Sequence, residues 1–225
     1  MIKLALFDVD GTLIEDGSFH GRFQYGLKKV FGVDLKPDVV APTGLNDPGT
    51  AKYLAIRCGV KEAVYMQNID KVMDAELEYV ESTKATEKIT LRPGVLALLT
   101  ELKEKEVKLV LVTGGTTAMA RIKLERAGIF EMFDLGSFGD QIMNRNELIQ
   151  VALHKYREKF GEITSREIMY FGDTPYDVEG AHAAGLRIIA TGTKRHSASE
   201  LASLGAEFPL DDLSDTKAVL EMLDS

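Results

Sequence analysis

The feature that most restricts the fold is an alternation of short apolar strands with amphipathic helices over the second half of the chain. Continuous apolar runs of strand length occur at 108–112, 168–171 and 186–190, with a weaker one at 133–138. Helical spacing of apolar residues separates them. Strands that alternate with helices in this way form a parallel sheet covered on both faces. With a first strand at 3–7, the sequence predicts a three-layer α/β core.

Residues 15–86 form a block in which the signals are helical. One helix face is marked by apolar residues at steps of three and four, namely Ile69, Val72, Met73, Leu77 and Val80. Because the block interrupts the strand-helix alternation after the first strand, we expect an inserted α-helical cap domain at 15–86. The core is then expected to consist of 1–14 and 87–225.

Charge and composition exclude several classes of protein. The 225 residues include 27 Lys and Arg against 35 Asp and Glu, a formal charge of −8. A phosphate backbone or an anionic membrane requires a basic surface, so we expect neither nucleic acid nor membrane as a partner. Cys58 is the single cysteine, which excludes an intramolecular disulfide and favours a reducing compartment. Without a signal-peptide pattern or a long apolar stretch, the predicted location is the cytoplasm.

Two of the predicted strands end in pairs of acids. Asp8 and Asp10 follow the first strand, and Asp173 and Asp177 follow the strand at 168–171, four residues apart across a strand-to-helix turn. Ligands of open parallel sheets bind at the carboxyl ends of the strands. Four carboxylates in one crevice repel each other unless a cation neutralises them, and oxygen ligands without a His or Cys cluster favour Mg²⁺. A single acid here would more often cap a helix, but the repetition at two strand ends favours a Mg²⁺ site suited to a phosphate.

Motifs of other enzyme classes are absent from the sequence. It has no Gly-x-x-x-x-Gly-Lys-Ser/Thr loop, no Gly-x-Gly-x-x-Gly, no His-Glu-x-x-His and no Gly-x-Ser-x-Gly. ATP hydrolysis by a P-loop, hydride transfer, zinc proteolysis and serine esterase chemistry therefore lack their usual residues.

The strand-end residues also carry a resemblance to a known family. The segment Asp8-Val9-Asp10-Gly11-Thr12-Leu13, Thr113 after its strand, and Gly172-Asp173 with Asp177 resemble motifs one, two and four of the haloacid dehalogenase superfamily, in the same order. The resemblance spans nearly the whole chain. It implies a Rossmann-like core with a helical cap of the first type. Pro93-Gly94, at the return to the core, resembles the phosphoglycolate phosphatase-like branch.

The resemblance implies a role for each of the four acids. Asp8 would be the nucleophile that attacks phosphorus to form an aspartyl-phosphate, and it would also contact the metal. Asp10 would protonate the leaving oxygen and later take a proton from the hydrolytic water. Its main-chain carbonyl would be a further metal ligand. Asp173 would be a carboxylate ligand, and Asp177 either another ligand or an acceptor for metal-bound water.

The groups implied to hold the phosphate follow the superfamily less regularly. The Thr113 hydroxyl and the Gly114 amide would donate to phosphoryl oxygens. The third motif usually supplies a Lys, often followed by Pro, and no Lys-Pro occurs before the fourth motif. Arg145 is our candidate for this cation because its forked guanidinium bridges a carboxylate and a phosphate. Lys123 and Lys155 are weaker candidates, since both are expected at exposed helix positions.

The predicted cap contains one loop that resembles a substrate-facing segment. Thr43–Pro48 is similar to the Gly-x-Thr-Asp loop of phosphoglycolate phosphatase-like caps, with Asn46 where Thr is common. Asn46 and Asp47 are therefore candidates for substrate binding, although Asp47 fits equally well as a helix N-cap. His20 is more typical of a surface position than of the cleft. Hinges for cap closure are expected near 15–17 and 86–93.

Asp10 separates the activities known within the resembled superfamily. Dehalogenases attack carbon and do not use this residue as an acid, whereas phosphatases and phosphomutases protonate an oxygen. The chain is therefore expected to be a phosphoric monoester hydrolase acting on a small phosphorylated metabolite, phosphoglycolate-like or a sugar phosphate. A β-phosphoglucomutase-like phosphotransferase and a catalytically silent phosphate-binding protein are the alternatives. The physiological substrate and the oligomeric state are not determined by the sequence.

Overall fold

The computed structural model describes residues 1–15, 19, 21–83, 88–141 and 144–224. Within these residues the core is a six-stranded sheet whose neighbouring strands are parallel. In chain order the strands are β1 (Leu4–Phe7), β2 (Lys108–Thr113), β3 (Leu135–Phe138), β4 (Ile168–Gly172), β5 (Arg187–Thr191) and β6 (Phe208–Leu210). Across the sheet their order is β3-β2-β1-β4-β5-β6. The predicted parallel α/β core is confirmed.

Each of the five predicted strands is present, and their ends differ only slightly from the predicted ones. The sixth strand, β6, lies in a stretch that was expected to contain only helices and short loops. It has three residues, and Pro209 is one of them. Proline cannot donate a hydrogen bond to a neighbouring strand and is tolerated at the edge of a sheet, where β6 lies. A segment this short carries no periodicity from which a strand can be predicted.

The helices cover both faces of the sheet. In chain order they are α1 (Gly21–Phe31), α2 (Asp47–Arg57), α3 (Glu62–Met66), α4 (Ile69–Ser82), α5 (Val95–Glu104), α6 (Thr117–Arg126), α7 (Arg145–Phe160), α8 (Pro175–Ala183), α9 (Ala198–Ser203) and α10 (Thr216–Asp224). On one face, α5, α6 and α10 form an apolar core with Phe7. On the other, α7, α8 and α9 pack with Leu6. Consecutive residues of β1 thus point to opposite layers, as the pleat of a strand requires.

The regular secondary structure described between β1 and α5 consists of α1 to α4. These helices enclose a small apolar cluster of their own, which includes Leu27, Leu54, Tyr65 and Val72. This arrangement agrees with a helical cap, and the boundaries 15–86 remain our prediction. None of the helices in the described ranges is both long and apolar enough to span a membrane.

The chain leaves and re-enters the core through two neighbouring segments. The Glu15 amide donates to the Thr90 carbonyl at 2.9 Å, and the Arg92 amide donates to the Leu13 carbonyl at 3.0 Å. The segments therefore run side by side at the base of the four helices. The expected hinges fall partly on 16–18 and 84–87, which lie outside the described residues, as does His20.

Candidate active site

The acids lie at one edge of the sheet, where β1, β2 and β4 end. β1 is adjacent to β2 on one side and to β4 on the other, so the chain changes direction across the sheet at β1. In open α/β sheets the crevice for ligands forms at this position, outside the carboxyl ends of the strands. Asp8 follows β1, Thr113 ends β2, and Asp173 follows β4. The topology thus brings together residues that are far apart in sequence.

Three carboxylates are close enough to share one ion. An oxygen from each of Asp8, Asp173 and Asp177 lies within 4.8 Å of the others, and all three residues are buried. Oxygen-only ligands of this kind suit Mg²⁺. Burial raises the pKa of the Asp8 carboxyl to about 7, because the charged form loses its hydration. A divalent cation would relieve this cost, so the residues present fit the predicted metal.

The loop after β1 is shaped around Asp173. Gly11 has a φ of +86°, and a Cβ at this position would collide with the Asp173 carboxylate. Only glycine combines this backbone conformation with so close an approach. The Thr12 hydroxyl also points to Asp173, at 3.4 Å. In the first motif, Gly11 thus leaves space for Asp173 of the fourth motif, and Thr12 donates a hydrogen bond to it.

Asp177 accepts hydrogen bonds at both of its carboxylate oxygens. It lies in the first turn of α8, where Thr174 is the N-cap and Pro175 the first helical residue. Its Oδ2 accepts hydrogen bonds from the Thr174 hydroxyl at 2.6 Å and from the Thr174 amide at 3.0 Å. Its Oδ1 accepts from the Tyr170 hydroxyl at 2.9 Å and lies 3.0 Å from Arg145 Nε. Few acceptor positions are left for direct metal coordination. Of the two predicted roles of Asp177, this favours the acceptor for metal-bound water over the direct ligand.

Arg145 connects two of the acids. It is the first residue of α7, whose N-cap Asn144 forms a capping box with Glu147. Its Nη1 lies 2.9 Å from Asp8 Oδ1, while its Nε reaches Asp177. The fork geometry of a guanidinium is needed for such a bridge. The structure therefore places Arg145 where the third-motif cation is expected.

Asp10 does not join the other three acids. Both of its side-chain oxygens lie 2.7 Å from Lys123 Nζ. Burial raises the pKa of the Asp10 carboxyl, but the Lys123 charge and its hydrogen bonds, together with the charges of Arg22 and Arg145, outweigh burial, so the net pKa is below the ordinary value. The expectation of four side-chain carboxylates around one point is thus revised to three, with Asp10 held by a separate cation.

The expectation that Lys123 is exposed is wrong. Its side chain is only 3% exposed, and it lies in α6 beside the buried residues Met119, Ala120 and Leu124. Their spacing of three and four residues places Lys123 on the inner face of the helix, and this pattern was a signal in the sequence. A buried lysine requires a partner, and Asp10 is that partner. Lys155, by contrast, is exposed and donates to the Gly136 carbonyl.

A cavity of about 370 Å³ lies between the strand ends and the helices α1 and α2. The core contributes Thr113, Gly114 and Gly115 together with the charged residues Asp8, Asp10, Asp173, Lys123 and Arg145. The Thr113 hydroxyl accepts a hydrogen bond from the Gly115 amide at 3.1 Å. Opposite them lie mainly apolar residues, namely Phe23, Leu35, Val39, Ala41, Pro42, Leu45 and Leu54. The volume suits a small ligand, with most of the charged groups on the core side and the Arg22 and Asp47 pair on the other.

Asn46 and Asp47 occupy different environments. The Asn46 side chain donates to the carbonyls of Gly139 and Gln141, and it accepts from the Gly49 amide as the N-cap of α2. It is buried and does not line the cavity. The expectation that Asn46 faces the substrate is therefore revised, because its polar atoms join the helical block to the core. Asp47 does line the cavity, and its amide donates to the Gly114 carbonyl at 2.8 Å.

Arg22 is a cavity residue that sequence reasoning missed. It is buried in α1, 2.6 Å from Asp47 and 3.3 Å from Glu76. Burial raises the pKa of Glu76 to about 8, with Arg22 opposing the shift. The signal was the position of Arg22 four residues before the buried Gly26, on the inner face of α1. Tyr170 was also missed, because its place in an apolar strand indicates packing rather than a contact with Asp177.

Comparisons with known proteins show which family and which enzymes this chain is similar to. The family model described as haloacid dehalogenase-like hydrolase matches residues 5–191. The "Phosphorylated carbohydrates phosphatase" of Thermotoga maritima is 24% identical over 192 residues, with 84% of each chain covered. The "Phosphoglycolate phosphatase" of Rhodospirillum rubrum is 25% identical over 226 residues, covering 95% of this chain and 89% of the relative.

Solved structures show the same fold. CbbY from Rhodobacter sphaeroides in complex with phosphate has a TM-score of 0.73 at 22% identity, with 96% of both chains covered. A putative β-phosphoglucomutase from Thermotoga maritima has a TM-score of 0.65 at 21% identity, covering 99% of this chain and all of that one. Together with the match that extends from β1 to the end of β5, these findings show that the chain belongs to the haloacid dehalogenase-like hydrolase family.

Proposed function

We propose that the protein is a Mg²⁺-dependent phosphatase that hydrolyses a small phosphate monoester through an aspartyl-phosphate on Asp8. The observation that carries the proposal is the buried group of Asp8, Asp173 and Asp177 beside the cavity, with Arg145 bridging Asp8 and Asp177. The relatives named as phosphatases of phosphorylated carbohydrates and of phosphoglycolate support the reaction class. A phosphorylated metabolite is the proposed partner.

Asp8 is the nucleophile in this proposal. One carboxylate oxygen faces Arg145 at 2.9 Å, which leaves the other to attack phosphorus. The bond from phosphorus to the leaving oxygen breaks as the Asp8 oxygen bonds to phosphorus. Arg145, the Thr113 hydroxyl and the Gly114 amide hold the phosphoryl oxygens. Asp8, Asp173 and the Asp10 carbonyl would hold Mg²⁺, which would supply positive charge next to the phosphoryl oxygens.

Asp10 handles the proton in both halves of the reaction. It gives a proton to the leaving oxygen and later takes one from the water that attacks the aspartyl-phosphate, which releases inorganic phosphate and restores Asp8. The cap excludes bulk water during the reaction, and its contact with the core through Asn46 and Asp47 supports this role.

The leaving group occupies the half of the cavity next to α1 and α2. Its apolar wall and the ion pair between Arg22 and Asp47 accommodate a small organic group. Both a sugar phosphate and a phosphoglycolate-like substrate fit within the proposal. A β-phosphoglucomutase-like activity is the second candidate, supported by the fold shared with the putative β-phosphoglucomutase.

The test measures phosphate release from p-nitrophenyl phosphate and from a set of phosphorylated metabolites, with Mg²⁺ or with EDTA. We expect Mg²⁺-dependent release by the wild type and none by Asp8→Asn. Mass spectrometry after rapid acid quenching is expected to find the phosphoryl group on Asp8. A sugar isomer formed without phosphate release would favour the mutase. Phosphate binding without turnover or labelling would favour the silent binding protein and refute the proposal.

A further inference from the structure

Lys123 is the feature of the site that neither the resemblance nor the proposed reaction explains. Arg145 already supplies the cation near Asp8, and Lys123 contacts neither Asp8 nor Asp177 among the interactions described. Burying a lysine costs free energy that only a well-placed partner offsets. A lysine kept at 3% exposure in the wall of a cavity therefore calls for a reason beyond packing.

The geometry of the pair supplies that reason. Lys123 Nζ lies 2.7 Å from each oxygen of the Asp10 carboxylate, whereas the Asp10 side chain is 32% exposed and lines the cavity. The Lys123 ammonium group thus holds the Asp10 carboxylate by both oxygens, and the exposed part of the carboxylate faces the cavity. Lys123 is fixed in turn by α6, which begins at the N-cap Thr116 just after β2.

Arg145 and Lys123 thus contact different acids of the site. Arg145 bridges Asp8 and Asp177, which belong to the nucleophile and metal side of the site. Lys123 contacts Asp10, which belongs to the proton-transfer side. An ammonium group that is hydrogen-bonded to both oxygens of a carboxylate fixes the direction in which that carboxylate faces. A fixed direction suits a base that must take a proton from a water at one defined place, not a group that holds the substrate.

We propose that Lys123 is a positioning residue that holds Asp10 as the base for hydrolysis of the aspartyl-phosphate. The inference rests on the proposed function. In this step a water oxygen bonds to phosphorus and the bond from phosphorus to Asp8 breaks. Asp10 accepts the proton that the water loses. Without Lys123 the Asp10 carboxylate is no longer held in one orientation, so hydrolysis of the aspartyl-phosphate slows. Phosphorylation of Asp8 keeps its rate when the leaving group departs without a proton.

The test is pre-steady-state release of p-nitrophenolate from p-nitrophenyl phosphate by the wild type, Lys123→Met, Asp10→Asn and Lys155→Met. Nitrophenolate leaves without protonation, so the burst reports phosphorylation and the later rate reports hydrolysis. Lys123→Met is expected to show a burst of about one equivalent per site, and its steady rate is expected to fall at least about tenfold. Phosphorylated Asp8 accumulates in the quenched protein, as it does in Asp10→Asn. Lys155→Met, which removes an exposed lysine, behaves as the wild type. Lys123→Arg restores part of the steady rate.

Other outcomes would overturn the inference. An equal fall in burst and steady rates would show a structural role, and a raised KM with unchanged kcat would show a substrate contact. If Lys123→Met does not fold, Asp10→Asn is compared with the double variant Asp10→Asn, Lys123→Met. The double variant removes both charges of the pair, so neither is left buried without its partner. We expect the same steady rate for these two, and further slowing in the double variant would refute the inference. Absence of phosphorylated Asp8 in active wild type would instead refute the proposed function itself.

Discussion

Asp8→Asn is expected to change how the stability of the metal-free protein depends on pH. Burial raises the pKa of the Asp8 carboxyl from 3.8 to about 7, and the nearby Arg145 charge opposes burial only in part. The folded protein therefore binds more protons than the unfolded chain between these two pH values, so its stability falls as pH rises through this window. The stabilising contribution of the protonated Asp8 carboxyl is complete below its pKa in the unfolded chain, 3.8, and is lost once the pH passes its pKa in the folded protein, about 7.

The structure sets the size of the effect. A rise of about three pKa units corresponds to about 4 kcal/mol of unfolding free energy over the whole window, of which about 3 kcal/mol falls between pH 5 and pH 8. Asparagine cannot ionise, and its oxygen still accepts a hydrogen bond from Arg145. The variant is therefore expected to lose this part of the pH dependence and to be the more stable protein at pH 8 without metal.

Urea unfolding followed by circular dichroism at pH 5 and pH 8, in EDTA and in Mg²⁺, measures these differences. Mg²⁺ is expected to stabilise the wild type most at pH 8 and Asp8→Asn much less, because the ion replaces the proton on the carboxylates. Glu76→Gln is the matched control. Glu76 has its own raised pKa of about 8, but it lies in the Arg22 network, so its pH dependence is insensitive to Mg²⁺. Equal losses of stability between pH 5 and pH 8 in the wild type and Asp8→Asn would refute the reasoning.

Three further predictions concern single contacts. Arg145→Met leaves two buried carboxylates without their shared cation and is expected to cost about 3–5 kcal/mol in urea unfolding. The exposed Arg157→Met is expected to cost less than about 1 kcal/mol, and similar values for the two would contradict this reading. Tyr170→Phe removes a buried hydrogen bond to a charged carboxylate and is expected to cost about 1.5–3 kcal/mol by the same assay; no change would mean that the bond adds nothing. Asn46→Ala removes an N-cap and the donor to the core carbonyls, so we expect a loss of about 1 kcal/mol and faster proteolysis between α1 and α2, whereas unchanged cleavage would show that this contact does not hold the helices in place.

The sequence was sufficient for the core because periodicity is a local property. Apolar runs separated by helical spacing predict the strands and helices, and the connection rules for such units lead to a parallel sheet. The acids at 8, 10, 173 and 177 were located for the same reason, since a polar group that directly follows an apolar strand must lie at the carboxyl edge of the sheet. The strand β6 was missed because its three residues are held by pairing with β5, not by a pattern of their own.

The partners of the charged groups were decided by tertiary structure. Asp8 and Asp10 are two residues apart, yet one faces Arg145 and the other faces Lys123. Asn46 and Asp47 are neighbours, yet one binds core carbonyls and the other lines the cavity. These directions depend on which helix packs over which strand end. Sequence spacing does not contain that information.

The chain by itself therefore determined the type of site and the kind of ion and substrate to expect there, because residue types and strand ends are written in order along it. Tertiary structure decided how the charges are divided, placing three acids around one point and giving the fourth to a buried lysine. The physical reason is the cost of burying charge. Each buried ion must find a partner in space, and the partners of Asp8 and Asp10 come from helices more than a hundred residues away in the sequence.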